Sequence, residues 1–276
     1  MAASDPELYD VIVVGGGPMG LSAAYQCAVK EGKKVMIIEQ YKFGNTYGSS
    51  PGFSRQFRIC YSERYLCQLA IESSKEWDKL MQELNDSSLL DRTGCLWFGD
   101  ATVESSEGNI DKAAENLKAL GVTDYDLLEG KEAIQSDERF SFISDAVNDI
   151  DNPKALYVGD GGTINVPAVI EGFAESSDKD DDGVGFVLDF LPEACSNNRI
   201  VLFTGGWGMK FVPVIGKILA DLAIKGKTEY SQLIKPWNIN RGVLVKAGGT
   251  TIMAQQSVKG STSLQRAALF EKWLGP

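Results

Sequence analysis

The residues best placed to do chemistry come first in the chain. Gly15-Gly16-Gly17-Pro18-Met19-Gly20 follows the apolar run Val11-Ile12-Val13-Val14 and opens a helical pattern. In such a G-x-G-x-x-G, the first glycine allows a tight turn, the second lets bare backbone approach a pyrophosphate, and the third lets helix pack closely on strand. The unpaired N–H groups of the helix start then face the anion. Glu39 closes the next apolar run, Lys34 to Glu39, where a carboxylate can accept from ribose hydroxyls. A glycine-rich turn that binds nothing has the same letters, but strand, helix, strand and acid fall together within about 30 residues, which favours a dinucleotide. Gln40 follows Glu39 where an arginine would suit a 2′-phosphate, arguing against one. Farther on stand the cations Arg55, Arg58 and Lys210. By spacing alone, Arg55 and Arg58 also suit an exposed helical turn, and Lys210 a solvated helix start.

Composition narrows the chemistry. The chain has no histidine, so Ser-His-Asp and Cys-His triads and His-ligated metals are excluded. Five cysteines without a C-x-x-C pair fit reduced thiols better than a disulfide framework, and no metal is expected. Proton handling falls to Arg, Lys, Tyr, Asp or Glu, or to a cofactor. A net charge of −11 disfavours nucleic acid as a partner. No secretory signal or apolar run of spanning length is seen, so the expectation is a soluble cytoplasmic protein without membrane contact. The peroxisome stays open, although Leu274-Gly275-Pro276 is not a peroxisomal tripeptide.

The elements that must position these groups follow from periodicity. A helix from about Met19 to Lys30 buries Leu21, Ala24 and Ala28 and ends at Gly32. Tyr41 to Ser54 reads as a loop. A second helix, about Glu63 to Leu84, takes Ser62 as its N-cap and carries Trp77 on its core stripe. A strand is expected at Thr93 to Gly99, a helix at Ile110 to Leu120, and a turn at Gly159 to Asn165 before a short helix begun by Pro167. Strands at Phe186 to Phe190 and Arg199 to Phe203 lead through Thr204-Gly205-Gly206-Trp207-Gly208-Met209-Lys210 into a helix from Pro213 to Ile224. A terminal helix is expected around Leu264 to Leu274. The acidic run Asp178 to Gly183 reads as a solvated loop, since a calcium loop needs a distal glutamate.

Three stretches together resemble the monomeric sarcosine oxidase family of FAD-dependent amine and amino-acid oxidases. They are Val11 to Gly20 with Glu39, Ser49-Ser50-Pro51-Gly52-Phe53-Ser54-Arg55-Gln56-Phe57-Arg58, and Thr204 to Phe211. Leu96-Trp97-Phe98-Gly99-Asp100 and Asp160-Gly161-Gly162-Thr163-Ile164 are most similar to its nikD-like imino-acid oxidase branch. The resemblance implies an α/β fold, with a Rossmann-type FAD-binding domain and a reduced α+β substrate domain. It implies oxidation of a C–N bond in a carboxylate-bearing secondary amine, imine or cyclic amino acid, with O2 reduced to hydrogen peroxide. It assigns Arg58 and Lys210 to the substrate carboxylate, Arg55 to the flavin ring, and Trp207 to a lid or stacking role. FAD would be held by Gly15, Gly17, Pro18, Met19, Gly20, Glu39, Gln40, Ser49, Ser50, Arg55, Gly205, Gly206, Trp207, Gly208 and Lys210.

The chain is shorter than the family pattern between the helix near Val169 and the strand at Phe186. Ala174 to Gly185 holds no cysteine, and Cys195 lies past the position that carries the flavin linkage in many members, so noncovalent FAD is expected. The domains are then 8–88 with 186–235 for FAD, 89–185 for a partial substrate domain with the acidic linker, and 236–276 as a tail. The oligomeric state is left open. An inactive form retaining only dinucleotide or partner binding, or a nicotinamide-dependent dehydrogenase, fits the first fingerprint as well.

Overall fold

A computed structural model of the chain describes residues 8–41, 50–103, 108–174, 187–190, 200–204, 208–238, 244–245 and 251–252. Strands β1 (Val11–Val14) and β2 (Val35–Ile38) pair in parallel, Val11 beside Val35 and Val14 beside Ile38. Helix α1 (Pro18–Tyr25) links them, starting on Pro18 behind an extended Gly17. A proline suits that place because its missing N–H has no helical partner there. The close packing expected at Gly20 is present: a Cβ there would stand 2.0 Å from the Gly15 carbonyl oxygen.

The end of that helix departs from the simple stripe. Gln26–Lys30 winds as a π turn, and Ala28, expected on the buried face, is exposed while Cys27 is buried. The wider winding rotates every later side chain off the 3.6-residue stripe. Gly32 ends the segment with φ +62°.

Helix α2 (Arg64–Glu83) buries Leu66, Leu69, Ala70, Ser73, Trp77 and Leu80 along one face. Its N-cap is Glu63, not Ser62. The Ser62 hydroxyl instead accepts from the Asn109 N–H and donates to the Asn109 carbonyl, fastening the start of α3 (Ile110–Ala119). Trp77 is packing, as its spacing implies, and is fully buried.

Two antiparallel sheets of three strands follow. One has the order β3-β8-β4, from β3 (Ser54–Arg58), β8 (Gly161–Asn165) and β4 (Leu90–Asp91). The other has the order β5-β7-β6, from β5 (Cys95–Asp100), β7 (Pro153–Val158) and β6 (Tyr125–Glu129). Between β6 and β7 lie α4 (Lys131–Ser136), a 3-10 turn and α5 (Ser144–Asn148), which enclose a small core of Ile134, Phe140, Ile143 and Val147. The turn expected over Gly159 to Asn165 stops at Asp160, and Gly161 onward is the central strand of its sheet. The glycines there serve close approach: a Cβ on Gly161 would meet Cys95, and one on Gly162 the Asp91 carbonyl.

Helix α6 (Val166–Ala174) follows β8 directly. The antiparallel pair β9 (Val187–Phe190) and β10 (Val201–Thr204) precedes a 3-10 turn, Met209–Phe211, and α7 (Val212–Lys225). Helix α7 crosses α1 at contact distance, where a Cβ on Gly216 would fall 2.0 Å from the Ser22 hydroxyl. Leu21, Val214, Ile215 and Ile218 join the main core, which is continuous with the α2 face. Among the described residues β1 is hydrogen-bonded to β2 alone, and β10 to β9. One face of the β1–β2 pair is open: Val14 is 81%, Ile12 56% and Ile38 48% exposed. Short strands β11 (Leu244–Val245) and β12 (Thr251–Ile252) pair antiparallel. The acidic run and the terminal helix expected at Leu264 to Leu274 lie outside the described residues.

Candidate functional site

The glycine loop has the shape its sequence implies. Gly15 takes φ +95°, and its N–H bonds the Ile38 carbonyl, so the turn starts at the tip of the parallel pair. Glu39 lies directly across the loop. Its carboxylate accepts from the Gly16 N–H at 2.8 Å and from the Tyr41 N–H at 2.9 Å. No side chain caps α1, and no acid stands in its first turn. That leaves the N–H groups of the α1 start itself for an anion such as a pyrophosphate, with the Glu39 charge held on the Gly16 N–H. The turn, the uncapped helix and the acid therefore fit the ADP half of FAD. Gln40 is exposed beside Glu39.

Arg55 and Arg58 lie on strand β3, not on a helical turn. Three positions apart on a strand, they face opposite ways. Arg55 donates to the carbonyls of Ser50, Pro51 and Ser54, and so fixes the chain leading into β3. Arg58 is buried, with its guanidinium carbon 4.8 Å from the Tyr61 ring centre and 5.3 Å from that of Trp97. Lys210, far along the sequence from Arg58, places its ammonium 5.6 Å from the same Tyr61 ring.

The fold supplies that convergence through α2. The Lys210 carbonyl accepts from the Ser73 hydroxyl and from Trp77 Nε1, so one face of the long helix holds the Met209–Phe211 turn. Phe211 beside it stacks at a tilt on Tyr61, with ring centres 6.3 Å apart. Burial pushes the Tyr61 phenol well above its usual range, with the Arg58 charge opposing. The phenol therefore stays protonated and can donate.

Two cysteines complete the cluster. Cys60 and Cys95 are both buried here, and Gln56 Nε2 donates to Cys95 Sγ at 3.3 Å. The Cys60 hydrogen bond, with help from the Arg58 and Lys210 charges, pulls the Cys95 thiol down against its burial. Cys60 is pushed up by the same bond and by burial. Tyr61, Cys60 and Cys95 were not singled out by sequence pattern for this site. A signal was present, since strand alternation puts Arg58 with Cys60 and Cys95 with Trp97.

Of the other expected site residues, Pro18 and Gly208 are buried, and Gly17 and Met19 are half-buried at the start of α1. Ser50 contributes a carbonyl to Arg55. Ser49, Gly205, Gly206 and Trp207 lie outside the described residues. The described residues hold no cluster of side chains able to bind a metal ion, and no described helix is long and apolar enough to cross a membrane.

Comparison with known proteins gives this geometry a context. The model of the DAO family, FAD-dependent oxidoreductases, matches residues 10–184. A Dictyostelium discoideum relative named as a bifunctional amine oxidase is 38% identical over 164 residues, covering 59% of this chain and 14% of its own. Monomeric sarcosine oxidase from a Bacillus species is 36% identical over 125 residues, 45% of this chain and 30% of that enzyme. The chain thus spans well under two thirds of the curated relatives it matches. Among solved structures, the Tyr258Phe mutant of NikD, an amino acid oxidase of nikkomycin biosynthesis, superposes with a TM-score of 0.66 at 18% identity, over 90% of this chain and 98% of that one.

Proposed function

The chain belongs to the DAO family of FAD-dependent oxidoreductases, and from that premise we propose that it oxidises the C–N bond of a carboxylate-bearing secondary amine, imine or cyclic amino acid, reducing O2 to hydrogen peroxide. The observation that carries this reading is the meeting of Arg58 and Lys210 over one Tyr61 ring, although 152 positions separate them in the chain. A guanidinium and an ammonium gathered in a half-buried site suit a single carboxylate, which the guanidinium can take bidentately.

The ADP half of FAD would lie on Gly15 to Gly20 with Glu39 on the ribose. Gly205, Gly206, Trp207 and Gly208 would approach the flavin end. The bound flavin supplies the two-electron acceptor for the C–N bond and passes the electrons to oxygen. The protein's part is to hold the carboxylate between Arg58 and Lys210, to present the neutral Tyr61 hydroxyl as a donor, and to keep positive potential where negative charge gathers. The flavin is read as noncovalent. Arg55 acts through the loop carbonyls it binds. The protein is placed in the cytosol, with the peroxisome as the other compartment that suits a peroxide-forming oxidase.

The test is peroxide release by the FAD-loaded protein across N-methyl and cyclic amino acids, beside the matching amines that lack a carboxylate. Turnover of the acids alone supports the assignment. Turnover of neither class favours a second reading, a noncatalytic form that retains dinucleotide binding, for which the open apolar face at Ile12, Val14 and Ile38 speaks. Acid precipitation tests the linkage: flavin released to the supernatant agrees with noncovalent binding, and flavin kept in the pellet refutes it.

A further inference from the structure

We propose that Tyr61 is a third ligand of the substrate carboxylate, its hydroxyl donating to the same group that Arg58 and Lys210 bind. The inference deepens the reading of the site given above and rests on it. Both cations stand over the Tyr61 ring, the Arg58 guanidinium carbon 4.8 Å and the Lys210 ammonium 5.6 Å from its centre. The hydroxyl is carried on that ring, so it belongs to the cluster that an anion would enter.

Tyr61 is held from several directions. Its carbonyl and that of Ser62 accept from Asn116 Nδ2 on α3, at 3.1 and 2.8 Å. Phe211 lies tilted against the ring, with 6.3 Å between centres, and the residue is 3% exposed. A side chain so enclosed cannot swing its hydroxyl out to water. Yet that buried hydroxyl meets no hydrogen-bond partner among the described residues.

Buried tyrosines ordinarily find a partner, and an orphaned polar group costs stability. Packing alone would be served as well by phenylalanine. An acceptor that arrives from outside removes the deficit, and the two cations select its kind, since they favour a negative oxygen over a neutral one. A carboxylate has two oxygens with about four lone-pair sites, enough for a guanidinium, an ammonium and a phenol together. Burial keeps the phenol protonated against the Arg58 charge, so it can donate at neutral pH.

The test reads binding apart from turnover. Cyclopentanecarboxylate, a cyclic acid with no C–N bond to oxidise, is titrated calorimetrically into the FAD-loaded full chain of the wild type and of Tyr61→Phe. The variant keeps the ring and should bind the acid at least about tenfold more weakly, the scale of one charged hydrogen bond. It should raise KM for a carboxylate amine by a similar factor while kcat stays within about twofold. Without the acid, its melting temperature should equal or exceed that of the wild type, because an orphaned hydroxyl has been removed. Equal acid affinity in the two proteins would overturn the inference and leave the Arg58 and Lys210 clamp standing. A melt lowered by more than about 3 °C would overturn it too, by showing that the hydroxyl already serves the fold. No binding of the acid by the wild type would remove the carboxylate site and this inference with it.

Discussion

Arg58 is the side chain on which the site turns. Arg58 is 8% exposed as a residue, so its charge carries a large desolvation cost, and Tyr61 and Trp97 offset part of it with their ring faces. A substrate carboxylate would bring a negative charge to the guanidinium. We therefore expect Arg58→Ala and Lys210→Met each to raise KM for a carboxylate amine more than about tenfold, the scale of one charged hydrogen bond. Steady-state peroxide assays check this, and unchanged KM in both variants removes the clamp. Glu39→Gln should weaken FAD binding, since the loss of charge weakens both the ribose contact and the bond that Gly16 N–H makes. Fluorescence titration with FAD measures the shift, and equal affinity would exclude Glu39 from the site. The glycines and Glu39 were legible because backbone geometry restricts their choice. The pairing of Arg58 with Lys210 came from family resemblance, as no local pattern joins residues so far apart. Tyr61 was missed because its place beside Arg58 and Lys210 depends on how distant parts of the chain meet.

At the level of elements, the two helix contacts of the nucleotide unit are set by missing side chains. A Cβ on Gly20 would press on the Gly15 carbonyl, and one on Gly216 on Ser22, both with backbone in the way. Overpacking of this kind costs typically about 1–3 kcal/mol. For a chain of this size each alanine variant should then melt about 2–10 °C lower. Gly99→Ala, with open space at its Cβ, should melt within about 1 °C of wild type and serves as the control. Thermal melts followed by circular dichroism decide, and three equal values would contradict the packing. The helices α2, α3 and α7 were readable from apolar spacing. The π turn after α1 was not, because nothing in Gln26 to Lys30 signals the change of winding. Strand β8 was hidden for another reason: Gly161 and Gly162 look like turn residues, and only the nearness of Cys95 and Asp91 shows why a strand needs them.

For the whole molecule, the α/β plan was readable from the order of strand, glycine loop and helix, but the completeness of the sheet was not. The pair β1–β2 carries one covered and one open face, and Ile12, Val14 and Ile38 present apolar surface to water. Open apolar faces and unpaired strand edges bind one another. The chain should therefore bind the dye anilinonaphthalene sulfonate, and Ile12→Thr with Val14→Thr should reduce that signal at least about twofold. An unchanged signal would place the apolar surface elsewhere. The central claim, that the glycine loop seats FAD, is tested most directly by titrating FAD into the wild type and into Gly17→Asp. That variant keeps a good helix N-cap while setting a negative charge at the pyrophosphate position. One FAD per chain for the wild type, with affinity lowered more than about tenfold in the variant, is the predicted result; no binding to the wild type, or equal binding by both, would contradict it.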